Sequence, residues 1–217
     1  MDLGRDGYCW DKLPADRLGE IAEVCDQILR NSSKSFGIRG VIRKSHELGN
    51  LADLSMIPIA RSYLGKEAFL VRSILFDKPL KANWGVPWHQ DVTIEVEARH
   101  EVDGFGPWSN KDSVLSVQPP ASVLENMVTL RLHLDEADES NGALIVDPGT
   151  HLVGKKHIQD IRPTGPIVLE CKAGDVLVMK PLLYHASNRS TSGKPRRVLH
   201  LDFAASPLPE PLKWATN

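Results

Sequence analysis

The sequence predicts a mainly β protein, an antiparallel sandwich or barrel preceded by helices. From Ala68 onward, short segments rich in residues that suit strands follow one another, with turn sequences such as Asn141-Gly142 and Pro148-Gly149 between them. No helical pattern alternates with these segments, which argues against a parallel α/β sheet. The predicted strands are 69–76, 92–96, 127–135, 143–147, 167–170, 175–179 and 197–203, the first ending at Asp77-Lys78-Pro79.

The region before the strands, about residues 1–66, has helical spacing of its apolar residues. Leu18, Ile21, Cys25 and Leu29 mark one amphipathic helix of about 16 residues that begins after Pro14. A shorter helix is predicted over 57–64, closed by Gly65. The β core is then expected over about residues 68–205.

Composition is that of an ordinary globular protein, because 41% of the 217 residues are hydrophobic and 25% are charged. We expect one domain, 1–217, with length enough for one core. The net charge of −2 gives no basic field for nucleic acid, and no apolar run suits a membrane span or a secretory signal. Three widely spaced cysteines suit reduced thiols. The expected partner is a small molecule, and the expected location is the cytoplasm.

His89 and Asp91 are the leading candidates for metal binding. Residues i and i+2 of an extended chain point to the same side, so both could bind one ion while Gln90 turns away. The third ligand is predicted to be His185. Two histidines and one carboxylate leave the opposite face of a metal open, which is the arrangement of non-haem Fe(II) oxygenases.

The same His-x-Asp pattern occurs twice more, and these rivals must be weighed. His133 and Asp135 could also combine with His185, but Asp135 opens the acidic run 135–139, which is typical of a solvated turn. His200 and Asp202 have no suitable histidine downstream, so we interpret them as a polar face of the last strand.

An anion-binding group is predicted near His185. Arg196 follows it by eleven residues, a distance that allows a hairpin to bring a guanidinium back beside the metal strand. Ser187, on the same side of its strand as His185, could add a hydroxyl. Alternation along the last strand groups Arg197 with Leu199 and Leu201, and this burial pattern favours Arg197 as the inward residue.

The segment 97–125 is too long for a hairpin and has few β signals. Starting just after the candidate metal ligands, it is expected to be a lid-like insertion, with an exposed surface loop as the alternative and a helical turn at 121–126. Among the aromatic residues, Trp84, Trp88 and Trp108 could line a substrate pocket or be part of the core.

Taken in order, the motifs Trp88-His89-Gln90-Asp91, Asn141-Gly142-Ala143-Leu144, Pro148-Gly149-Thr150-His151, Gly174-Asp175, and His185-x-Ser187 with Arg196 resemble those of the phytanoyl-CoA dioxygenase family. The resemblance runs from about Phe69 to Phe203. It implies a double-stranded β-helix (jelly roll, cupin-like) and a reaction with Fe(II), 2-oxoglutarate and dioxygen.

By the same resemblance, His89, Asp91 and His185 hold iron and Arg196, rather than Arg197, binds 2-oxoglutarate. The implied reaction is hydroxylation of an unactivated carbon, with 2-oxoglutarate becoming succinate and carbon dioxide. No acyl-CoA-binding signature is present, so the family name does not give the substrate. The alternative function is a cupin-like jelly roll that binds a metal or ligand without turnover.

Overall fold

The computed structural model describes residues 1–32, 37–78 and 84–215. Its α-helices are α1 (Ala15–Arg30), α2 (Val41–Lys44), α3 (His46–Leu64) and α4 (Ala121–Glu125). Its strands are β1 (Tyr8–Lys12), β2 (Gly37–Arg39), β3 (Phe69–Phe76), β4 (Val86–His89), β5 (Ile94–Glu95), β6 (Trp108–Lys111), β7 (Val114–Val117), β8 (Met127–His133), β9 (Leu144–Asp147), β10 (Ile167–Leu169), β11 (Asp175–Met179), β12 (Tyr184–Ser187) and β13 (Val198–Ala204).

Two antiparallel sheets form the double-stranded β-helix that the family resemblance implies. The larger has six strands in the order β1-β11-β8-β13-β3-β2, and the smaller has four in the order β10-β9-β12-β4. Their facing sides share an apolar cluster in which Leu177 and Met179 of β11 pack with Leu144 and Val146 of β9. The sheets therefore close around an interior that contains the candidate site.

Helices α1 and α3 cover the outer face of the six-stranded sheet. Their buried residues, including Ile21 and Met56, share one core with Leu130 of β8 and with Leu199 and Leu201 of β13. Because both faces of this sheet are buried, every residue of β8 and β13 is buried. Polar residues that alternate with these leucines consequently face the interior and not the solvent. None of the helices in the described part of the chain is long and apolar enough to cross a bilayer.

The helical prediction for about 1–66 is right for α1 and incomplete elsewhere. β1 and β2 are strands within that region and extend the six-stranded sheet at its two ends. Helix α3 begins at His46 rather than at 57, because the Ser45 hydroxyl caps its first turn by accepting from the Leu48 amide, and the helix continues through Pro58. The predicted strand end at Pro79 lies outside the described residues.

The segment 97–125 has few β signals in the sequence, but the structure places two strands and a short helix in it; its role as a lid stays a prediction. β6 and β7 form a hairpin that joins β5 in a three-stranded sheet, and α4 follows where a helical turn was predicted. The two turn residues, Asp112 and Ser113, both have positive φ, at 57° and 64°. Val117 packs with Ile94 and Leu182 in a separate apolar cluster. The hairpin is thus part of the fold, and Lys111 at its end lines the interior cavity.

Candidate metal centre

His89, Asp91 and His185 are brought together by the pairing of β4 with β12. His185 is the direct cross-strand partner of His89, and the centroids of their rings are 4.1 Å apart. One ligand atom from each of the three residues lies within 4.8 Å of the others. Gln90 turns away, and its Nε2 donates to the Leu182 carbonyl at 2.7 Å. Three donors of the types that hold Fe(II) thus converge on one point.

The backbone fixes which nitrogen of each histidine is available. Nδ1 of His89 lies 2.8 Å from the Pro87 carbonyl, and Nδ1 of His185 lies 2.9 Å from the Leu183 carbonyl. Because a carbonyl can only accept, each Nδ1 carries the proton and each Nε2 presents a lone pair to the site. Burial, with a smaller contribution from His89, lowers the pKa of His185 to about 3, which keeps it neutral.

Asp91 is held as a carboxylate by the basic side chains around it. Its burial raises the pKa, but His185, Arg72 and further basic neighbours outweigh this effect and hold the pKa well below its usual range. Oδ2 lies 3.7 Å from Nε2 of His185 and 4.0 Å from Nε2 of His200. This buried oxygen accepts no hydrogen bond from the described residues. A buried carboxylate oxygen without a hydrogen-bond partner, close to the Nε2 lone pairs of His89 and His185, fits a bound cation.

A buried polar network supports the Asp91 carboxylate. Arg72 has its Nη2 4.0 Å from Oδ1 of Asp91 and forms an ion pair through Nε with Asp202. Asp202 also accepts from Thr129 at 2.7 Å and lies 3.0 Å from Nε2 of His200. His200 and Asp202 share one face of β13, as predicted. They are buried beside the metal centre, because that face is the interior of the β-helix.

A cavity of about 410 Å³ extends from the three candidate ligands to Arg196 and Ser187. Arg196 is only 8% exposed, and its Nε and Nη1 make no hydrogen bond to the described residues. Burial, and to a lesser extent the charge of Arg131, lowers the pKa of Arg196 to about 10. A buried guanidinium with unsatisfied donors is suited to a carboxylate ligand.

Lys78 lies in the same part of the cavity. It is 4% exposed, and its Nζ donates to the Asn188 carbonyl at 2.7 Å and lies 5.6 Å from the Trp84 ring centroid. Gly142, at φ 78°, allows this close approach, because a Cβ there would lie 2.4 Å from the Asn188 oxygen and 3.3 Å from Nζ. Burial, then the charge of Arg196, lowers the pKa of Lys78 to about 8. From the sequence, a solvated position was favoured for Lys78, with contact to an anionic substrate as the alternative; the structure instead buries it in the cavity lining.

Arg197 points away from the cavity, contrary to what the burial pattern favoured. Its Nη2 lies 2.6 Å from Asp135, and Nη1 contacts Asp26 of α1. Asp135 is therefore an ion-pair partner outside the β-helix and cannot join His133 at a metal. His133 itself is buried on the inner side, with both ring nitrogens without a hydrogen bond to the described residues.

The structure separates the three tryptophan candidates. Trp84 lines the cavity, whereas neither Trp88 nor Trp108 does. Trp108 packs in the apolar cluster of the three-stranded sheet, and the Arg99 guanidinium carbon lies 5.5 Å from its ring centroid. His151, which follows the Pro-Gly-Thr turn, is buried with Nε2 3.1 Å from the Gly4 carbonyl.

The fold and the site together define a class, the double-stranded β-helix proteins with a His-Asp-His centre and an arginine across the cavity. The chain belongs to the phytanoyl-CoA dioxygenase family, whose model matches residues 41–198. Fe(II), 2-oxoglutarate and dioxygen are the cofactors of this family. The free Nε2 atoms, the orphaned Asp91 oxygen and the unsatisfied Arg196 guanidinium fit the metal and the co-substrate.

The chain is also similar to known proteins in sequence and in structure. An uncharacterized protein of Mycobacterium tuberculosis is 30% identical over 79 residues, which cover 36% of this chain and 29% of that protein. EctD from S. alaskensis has a similar structure, with 24% identity, coverage of 96% of this chain and 77% of that one, and a TM-score of 0.72. The 2-oxoglutarate-dependent epimerase SnoN from nogalamycin biosynthesis has 16% identity, coverage of 93% and 77%, and a TM-score of 0.72. At these identities the two structures show the shared fold alone.

Proposed function

We propose that this protein is an Fe(II)- and 2-oxoglutarate-dependent oxygenase that hydroxylates an unactivated carbon of a small molecule. The observation that carries the proposal is one cavity with His89, Asp91 and His185 at one side and the buried, unsatisfied Arg196 at another. The cavity volume of about 410 Å³ suits a small organic substrate together with the co-substrate. We further propose that residues 1–217 form one oxygenase domain, since α1 and α3 supply the outer core of the six-stranded sheet.

Each residue has a defined task in this proposal. His89 and His185 would ligate Fe(II) through Nε2 and Asp91 through its carboxylate, leaving one side of the ion open to the cavity. Arg196 would hold the far carboxylate of 2-oxoglutarate, with Lys78 adding a second positive charge and Ser187 a hydroxyl. Fe(II), 2-oxoglutarate and dioxygen would together supply the oxidising chemistry: one oxygen atom enters succinate as 2-oxoglutarate loses carbon dioxide, and the other enters the substrate.

Hydroxylation is proposed because Asp91 is present. The family resemblance implies that halogenating relatives lack the metal carboxylate, so the carboxylate favours hydroxylation. SnoN, an epimerase with the same fold, indicates that the fold alone does not decide the outcome. Identification of the oxidised product is therefore part of the test.

The test is succinate formation by protein loaded anaerobically with Fe(II) and then given 2-oxoglutarate, dioxygen and a panel of candidate substrates. We expect succinate release that a substrate stimulates and that Asp91→Ala abolishes. A product heavier by one oxygen atom would support hydroxylation. If Fe(II) and 2-oxoglutarate bind and no succinate forms with any substrate, the alternative of a non-catalytic binding protein gains support.

A further inference from the structure

Arg131 is a second buried arginine in the cavity, and the proposed iron and 2-oxoglutarate contacts leave it without a role. It lies in β8 between Leu130 and Leu132, which pack against the helices on the outer face. Its side chain consequently faces the interior, where it lines the cavity and is 8% exposed. Its cross-strand partner is His200.

The carboxylates of Asp91 and Asp202 attract this charge only from beyond ion-pair distance. Nη1 of Arg131 lies 3.1 Å from Nδ1 of His200, and its guanidinium carbon lies 6.0 Å from the ring centroid of Phe76. Nε makes no hydrogen bond to any described residue. Within residues 1–32, 37–78 and 84–215, Arg131 forms no ion pair, in contrast to Arg72 with Asp202. An unpaired buried cation is costly, so this position favours an anionic ligand.

The charges of the whole cavity lining point the same way. Basic side chains outnumber carboxylates among the lining residues, which include Arg39, Arg72, Lys78, Lys111, Arg131 and Arg196 against Asp77 and Asp91. Asp91 belongs to the metal centre, and Asp202 already pairs with Arg72. If 2-oxoglutarate binds with its far carboxylate at Arg196, that carboxylate neutralises one positive charge. The lining has more positive charge than this.

We propose that Arg131 binds a second carboxylate, distinct from the one held by Arg196. This inference rests on the proposed function, which assigns Arg196 to the far end of 2-oxoglutarate. Arg131 is opposite His200, whose Nε2 is 4.0 Å from Asp91, so it belongs to the metal end of the cavity. The second carboxylate is either the one next to the keto group of 2-oxoglutarate or an acid group of the substrate.

The experiment compares wild type with Arg131→Gln and Arg131→Lys. Anaerobic protein with Fe(II) is titrated with 2-oxoglutarate, and the charge-transfer absorption of the complex reports binding without turnover. The preformed complex is then titrated with acetate, using acetamide as the uncharged control. Lys111→Gln removes a cation from an exposed position of the cavity lining and controls for loss of positive charge in general.

A charge-assisted hydrogen bond predicts that Arg131→Gln weakens carboxylate binding by about 10- to 100-fold, with partial recovery in Arg131→Lys. Weaker 2-oxoglutarate binding would assign the carboxylate next to the keto group. Unchanged 2-oxoglutarate binding with loss of the acetate response would assign an acid group of the substrate. The inference is overturned if the 2-oxoglutarate affinity of Arg131→Gln stays within about two-fold of the wild-type affinity and the two proteins respond equally to acetate. It is overturned in the same way if the affinity is kept and neither protein responds to acetate. Failure of the wild type to bind 2-oxoglutarate would instead contradict the proposed function.

Discussion

Arg196 and Arg197 are consecutive in the chain, yet their guanidinium groups lie on opposite faces of the six-stranded sheet. Arg196 lines the inner cavity, and Arg197 pairs on the outside with Asp135 and Asp26. Among the described residues, Nε and Nη1 of Arg196 have no hydrogen-bond partner, whereas the Arg197 guanidinium is held by carboxylates. The two residues therefore form a matched pair for separating ligand binding from stability.

Replacing Arg196 by Leu should weaken 2-oxoglutarate binding by about two orders of magnitude or more, because a desolvated charge pair is lost. Fe(II) binding should barely change, since the three ligands remain. Calorimetric titration with 2-oxoglutarate measures the effect.

Arg197→Leu is the matched control. It should keep the affinity for 2-oxoglutarate but lower the free energy of unfolding by about 1–2 kcal/mol, because Asp135 loses a bidentate partner. If Arg197→Leu showed the large binding defect and Arg196→Leu did not, the proposed co-substrate site would be wrong.

Loss of any one of His89, Asp91 or His185 to Ala should reduce Fe(II) affinity by at least about tenfold, because the described residues supply three protein ligands to the centre and each loss removes one of them. His133→Ala should bind Fe(II) as the wild type does, although His133 is buried on the same interior face. Anaerobic equilibrium dialysis measures the affinities. Iron binding lost in His133→Ala but kept in His89→Ala would contradict the assignment.

The sequence allowed prediction of those parts of the fold and site that depend on local rules. β3 and β11 have the predicted bounds, because each is a compact run of strand-forming residues ended by a turn. The spacing of His89 and Asp91 placed both on one side of an extended chain, and the structure brings them together with His185.

Predictions that depend on which face of a strand is buried were wrong where both faces are buried. Alternation with Leu199 and Leu201 placed Arg197 inside, but these leucines pack against α1 and α3 on the outer face. His200 and Asp202 do form the polar strand face that was predicted, but this face is buried in the interior. A periodicity of two separates the two faces of a strand, but it does not show which of them faces the cavity with the candidate site.

Turn chemistry explains the missed hairpin of β6 and β7. Its two-residue turn, Asp112-Ser113, has positive φ at both positions, a conformation that Gly or Asn usually marks in sequence. The four-residue strands on either side carry little apolar alternation, because most of β6 is exposed. For these reasons the sequence contains little turn or alternation signal for this hairpin.

His133 should make the protein sensitive to acid. Burial, followed by the charges of Arg131 and Arg196, lowers its pKa to about 3 from the ordinary 6.5. Between these values the unfolded chain binds the proton and the folded chain does not, so the free energy of unfolding falls as pH decreases from about 6.5 toward 3. In His133→Leu this fall should be shallower by up to about 1.4 kcal/mol per pH unit.

Urea denaturation of the metal-free protein at several pH values between 4 and 7 measures the slope. His185 is retained in both proteins, so its own contribution cancels in the comparison. Equal slopes for wild type and His133→Leu would show that His133 does not titrate as its burial implies.

Lys78 should make 2-oxoglutarate binding depend on pH in the alkaline range. Burial and the neighbouring Arg196 lower the pKa of Lys78 to about 8, so it is charged at pH 7 and loses its proton as the pH rises through 8. Because the proposed contact needs the charged form, affinity should fall above pH 8 by up to about tenfold per pH unit. In Lys78→Met the affinity should be weaker at pH 7 and nearly constant up to pH 9.

Calorimetry with Mn(II) in place of Fe(II) measures both proteins, and Lys194→Met, at an exposed lysine, should keep the wild-type profile. A wild-type affinity that is the same at pH 7 and pH 9 would place Lys78 outside the co-substrate site.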